Sequence, residues 1–113
     1  MSIIIICCDR INVNIDIKYM KNIGILKEYN LKDGDFIKFK YIESKIMNYI
    51  KKYFENQLDF MKLDSYDLIN LGSRASCLDI EDLEAKISKI ISLSIKYSNK
   101  SSEFMKEFFL INQ

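Results

Sequence analysis

The sequence predicts an α+β domain, in which a three-stranded sheet is packed with helices and followed by a C-terminal helical extension. Ahead of Ile42, β-branched residues run together or alternate with polar ones, the pattern of strands. From Ile42 onward, apolar residues recur at intervals of three and four, the pattern of helices. Strands first and helices afterwards make an α+β arrangement. At 113 residues, 49% of them hydrophobic, the chain has material for one core and too little for two, so a single unit over 1–113 is expected.

Ser2 to Cys8 is a continuous β-branched run, which suits a strand buried on both faces. Asp9-Arg10 supply a turn, and Val13, Ile15 and Ile17 then alternate with polar residues, so a hairpin is expected. Tyr19, Met20, Ile23, Leu26 and Tyr29 form a helical stripe over Lys18–Tyr29, weakened at Gly24 by about 1 kcal/mol relative to alanine. The turn-rich run Asn30 to Asp35 leads to Ile37, Phe39 and Tyr41, which alternate with Lys38 and Lys40 as a third strand with lysines toward solvent.

Ile42, Ile46, Met47, Ile50, Tyr53 and Phe54 mark the first long amphipathic helix. Leu68, Ile69 and Leu71 mark a second, for which Asp64 or Ser65 is the candidate cap. Ile80, Leu83, Ile87, Ile90, Ile91 and Ile95 mark a third, and Phe104, Phe108 and Phe109 a short last one. The apolar residues from Ile91 to Ile111 exceed what one short terminal helix needs in order to dock. They are read either as an exposed interface or as the completion of the core.

Lys plus Arg number 17 against 16 for Asp plus Glu, and the signs are interspersed, so no basic face points to nucleic acid. The apolar run at the start is far shorter than the ~20 residues that span a bilayer, so no membrane association is expected. Three cysteines, two of them adjacent, do not form a secreted disulfide framework, and a reducing compartment fits better. Abundant Ile, Lys, Asn and Tyr with no proline is the bias of an AT-rich coding genome, such as that of a virus or intracellular parasite.

With no histidine, the usual general base and the histidine-containing triads are missing, and an enzyme is not expected. Cys7 and Cys8 are read as buried inert thiols pointing to opposite faces of a strand. Cys77 is either a small core residue or a thiol activated by Arg74. Asp79, Glu81, Asp82 and Glu84 read as a solvated helix N-terminus, and no metal or other cofactor is expected.

Four segments carry a resemblance when taken in order. They are Ser2-Ile3-Ile4-Ile5-Ile6-Cys7-Cys8-Asp9, continuing from Val13 to Tyr29; Ile37 to Ile42 with Ile46, Ile50 and Phe54; Asp59-Phe60-Met61-Lys62-Leu63-Asp64, running through Leu68 to Leu78-Asp79-Ile80; and Ser102-Glu103-Phe104-Met105-Lys106-Glu107-Phe108. Their order and spacing, over nearly the whole chain, resemble the S-phase kinase-associated protein 1 (Skp) family and its relative elongin C. Arg10 stands where that family has a turn glycine, and Ser76-Cys77 where it has Asn-Tyr before Leu-Asp-Ile.

The resemblance implies a BTB/POZ-like α/β core over 1–80 and a shortened F-box-binding extension over 81–113. It implies an adaptor that binds F-box proteins through Ile69, Ile91, Ile95, Phe104, Phe108 and Leu110. A cullin amino-terminal domain would be met through Tyr41, Ser76 and Cys77. The site of action would be cytoplasm and nucleus, or host cytoplasm for a viral protein. The alternatives are a decoy that holds F-box proteins without cullin, and a BTB-like oligomerisation module. The uncovered helical face is also expected to form a homodimer when no F-box partner is present.

Overall fold

The computed structural model describes the backbone of residues 1–97 and the side chains through Leu93. Strands β1 (Ser2–Ile6) and β2 (Asn12–Asp16) pair antiparallel, with Ile4 opposite Asn14 and Ile5 opposite Val13. The turn between them needs one left-handed residue, and Arg10 takes it at φ 65. That is the backbone state that glycine adopts most easily. Strand β3 (Phe36–Lys38) lies parallel on the other side of β1, so the order is β2-β1-β3 in a mixed sheet.

Side chains alternate across this sheet, and its two faces differ. Ile3, Ile5, Val13 and Ile15 are buried on one face, with Ile37 half-buried beside them. Ile4 and Ile6 point the other way and are only half-buried, next to exposed Asn12, Asn14, Asp16, Phe36 and Lys38. The expectation that β1 is buried on both faces is therefore corrected, because every described helix lies on the core side.

The helix expected over Lys18–Tyr29 is replaced by two short 3-10 helices, Ile17–Asn22 and Gly24–Leu26. Asp16 starts the first by accepting a hydrogen bond from the Lys18 amide at 3.0 Å. The break falls at Ile23, and the next residue, Gly24, donates its N–H to the Asp79 carbonyl at 3.0 Å. A side chain there would lie on the Asp79 carboxylate and 2.6 Å from its carbonyl oxygen. The glycine is thus required by a close backbone approach from a distant turn, rather than tolerated inside a helix.

Helices α1 (Ser44–Phe54), α2 (Ser65–Leu78) and α3 (Glu81–Tyr97) follow. Asp64 is the cap of α2, its carboxylate accepting from the Asp67 amide at 2.7 Å. The C-terminus of α2 closes on Asp79, left-handed at φ 58, and the Ile80 amide reaches back to the Ala75 carbonyl at 2.9 Å. Glu81, Asp82 and Glu84 occupy the first turn of α3, where negative charge is favoured by the helix dipole. Gly72 lets the two helices close, since a β-carbon there would sit 3.0 Å from Ile87 Cγ2.

Ile46, Met47 and Ile50 of α1, Leu71 and Leu78 of α2, and Leu83 and Ile87 of α3 join the sheet residues in one buried cluster. Each such side chain contributes about 1.5–3 kcal/mol by leaving water. Within the expected extension, Leu83, Ile87 and Ile91 therefore share the core of 1–80. Among the described residues, no helix is long and apolar enough to cross a membrane.

Candidate protein-interaction surfaces

One end of the molecule is organised by the turn after β1. Asp9 places its carboxylate against the start of α1, accepting from the Ser44 amide at 3.2 Å and the Ser44 hydroxyl at 2.6 Å. It satisfies a helix N-terminus that Glu43, at the cap position, leaves without a side-chain bond. These Ser44 bonds hold the Asp9 carboxyl below its ordinary value. The Cys8 amide donates to the Ile42 carbonyl at 2.9 Å, fixing the same junction through the backbone.

Glu43 then reaches α2 through Arg74, with Arg74 Nη2 at 3.4 Å from Glu43 Oε1. This ion pair links the segment carrying Tyr41 to the end of α2 carrying Ser76 and Cys77. All three of those side chains are exposed, Tyr41 by 78%. The third strand was expected to run to Tyr41 with that ring in its alternation. It stops at Lys38, because after the Phe39 amide bonds to the Ile6 carbonyl the chain bends to bring Ile42 to Cys8, which throws Tyr41 outward.

Ile69 and Ile91 are 4% and 5% exposed and belong to the central cluster, so the expectation that they face a partner is corrected. Packing of α2 on α3 encloses them. The Ile95 side chain, Phe104, Phe108 and Leu110 lie outside the described residues. The end of α1 carries a half-buried aromatic group in which Tyr19 stacks on Phe54 at 5.2 Å and Tyr53 meets Phe60 edge-on at 6.2 Å. Tyr53 donates to Asp82 at 2.7 Å, and its hydroxyl is pushed up to about 12 by burial and by that carboxylate. Tyr49 and Lys45 both meet buried Asp67, at 3.3 and 3.0 Å, bracing α1 on α2.

Two large apolar side chains that periodicity did not single out as surface, Phe36 and Met61, are 70% and 87% exposed. For Phe36 a signal existed, because a strand that puts Ile37 inward must put its neighbour outward. The cysteines divide differently from the expectation of a buried Cys7-Cys8 pair. Cys7 is buried and pushed up to about 11, first by desolvation and then by nearby Asp9, whereas Cys8 is exposed at the end of the hairpin. Cys77 is exposed rather than a core residue, because it lies on the outward side of α2. Among the described residues, no group of three potential ligands could hold a metal ion.

No protein-family model matches the chain, and no curated protein matches its sequence.

Proposed function

We propose that the chain is a Skp-like adaptor, BTB/POZ-like in fold, that binds F-box proteins and links them to a cullin-RING ubiquitin ligase. The observation that carries this reading is the element order. Two antiparallel strands, helical turns, a third strand parallel to the first and then α1, α2 and α3 occur in the sequence in which the resembling segments run. The F-box contact is assigned to Phe104, Phe108 and Leu110 with Ile95, while Ile69 and Ile91 are buried in the core. Aromatic anchors of this kind dominate helix-into-groove contacts.

The cullin contact is assigned to Tyr41 with Ser76 and Cys77, held together by the Glu43–Arg74 pair. Here Tyr41 is the large exposed ring, and the family's aromatic residue is replaced by exposed Cys77. That replacement also favours a second reading, a decoy that binds F-box proteins and no cullin.

Calorimetric titration of the chain with an F-box segment and, separately, with a cullin amino-terminal domain tests both readings. Binding to both supports the adaptor, binding to the F-box alone supports the decoy, and binding to neither overturns both. Phe108→Asp is expected to abolish F-box binding, because docking would bury an unpaired carboxylate.

A further inference from the structure

The ion pair between Glu43 and Arg74 is half made. Arg74 Nη2 lies 3.4 Å from Glu43 Oε1, longer than the about 2.7–2.9 Å of a well-formed charged hydrogen bond. Nη2 and Nε share one edge of the guanidinium, and that edge can donate two parallel bonds to the two oxygens of a carboxylate. The second limb of this fork is open. Arg74 Nε and Glu43 Oε2 are both buried, and neither has a partner among the described residues. A donor and an acceptor belonging to charged groups are thus left dry and unbonded on facing side chains, which is unfavourable. One small rotation, bringing the carboxylate square onto the Nε–Nη2 edge, would satisfy both. Two carboxylates on neighbouring elements are already engaged elsewhere, Asp9 with Ser44 and Asp67 with Lys45 and Tyr49.

The pair crosses between two segments that are each anchored. On one side Ile42 is held to Cys8, and Ser44 to Asp9. On the other, Arg74 stands on α2 three residues before Cys77, in a helix whose end is closed by the Ile80 amide on the Ala75 carbonyl. Tyr41 on the first segment and Ser76 and Cys77 on the second are exposed. Closing the open limb therefore draws together the two segments that carry these three residues.

We infer that the Glu43–Arg74 pair is a clasp that closes into a two-bond fork when a partner seats across Tyr41, Ser76 and Cys77, which makes Arg74 a positioning residue for that contact. This rests on the reading of that surface as the cullin contact, and it adds a source of affinity inside the chain itself. A partner that bridges the segments brings Nε to Oε2, and by linkage a closed fork favours the partner to the same degree. Lysine cannot replace Arg74 in this role, because an ammonium keeps the charge and lacks the two-donor edge.

Calorimetric titration with a cullin amino-terminal domain, joined to side-chain NMR of Arg74, tests the clasp. The Nε proton resonance should move downfield when the domain binds, as donation to a carboxylate requires. Arg74→Lys and Glu43→Gln should each weaken binding by about tenfold at an unchanged far-ultraviolet circular dichroism spectrum. The double variant should lose no more than either alone, since the same fork is missing in all three. A natural chain that does not bind the domain overturns the cullin reading, and the clasp with it. Binding by the natural chain that Arg74→Lys leaves within about twofold overturns the clasp alone and leaves the cullin reading standing. So do losses that add in the double variant, because each side chain would then act on the partner separately. The resonance needs no substitution and decides the matter where a variant fails to fold; an Nε proton unchanged between the free and bound chain overturns the clasp.

Discussion

Asp9 acts across 35 positions of sequence, its carboxylate closing the start of α1 through Ser44. Replacing it by alanine is expected to lower the urea midpoint of unfolding, because two donors at that helix start lose their acceptor. The sign with pH follows from the direction of its shift. The folded carboxyl is more acidic than its ordinary value of 3.8, so its contribution is present above that value and is lost as pH falls through the lowered one. An acid titration of stability should therefore be flatter in Asp9→Ala than in the natural chain, and equal slopes would show that the bond does not stabilise the fold. Gly24 makes the complementary case. Gly24→Ala pushes a methyl group into the Asp79 turn and is expected to cost about 1–3 kcal/mol, read as a lower denaturant midpoint at unchanged slope. Neither role was legible in the sequence. A capping carboxylate was visible at Asp64, which stands next to its helix, whereas Asp9 and Gly24 meet their partners only after the chain has folded.

Elements whose signal was local came through, and those that depended on a distant contact did not. The hairpin, α1, α2 and α3 were written in period and capping chemistry, and they form within a few residues of the expected limits. The Lys18–Tyr29 stripe had helical spacing, but Gly24 is drawn to Asp79 and the segment winds as 3-10 turns instead. The third strand shortened because Ile42 is held to Cys8. Ile69 and Ile91 have the spacing of both a core stripe and a partner-binding stripe, and only the closure of α3 on α2 distinguishes them. That closure is reinforced at the end of α1, where Tyr53 joins α3 through Asp82. Because the folded hydroxyl is raised from 10.0 to about 12, its contribution is full below 10.0 and is lost as pH climbs toward 12. Tyr53→Phe should cost about 0.5–1 kcal/mol at neutral pH, a modest figure because the pair is solvent-accessible. It should also remove a late-titrating tyrosine from an absorbance titration at alkaline pH. A titration curve unchanged by the substitution would disprove the assignment.

At the scale of the molecule, the outer face of the sheet and the proposed F-box contact draw on different stretches of the sequence. The sheet's outer face is built from β1, β2 and β3, while the proposed F-box contact draws on Ile95, Phe104, Phe108 and Leu110. The buried face of the sheet and helices α1, α2 and α3 share one core. Substitutions confined to exposed side chains on one surface should therefore leave the other unchanged, since sites without shared partners act additively. Phe36→Asp, on the outer face, is expected to leave F-box affinity within about twofold, whereas Phe108→Asp should remove F-box binding. If Phe36→Asp weakened F-box binding by tenfold or more at an unchanged circular dichroism spectrum, the two surfaces would be coupled. Measuring F-box affinity on both single variants decides between independence and coupling. Independence is the expected outcome because the outer face contributes no side chain to the shared core.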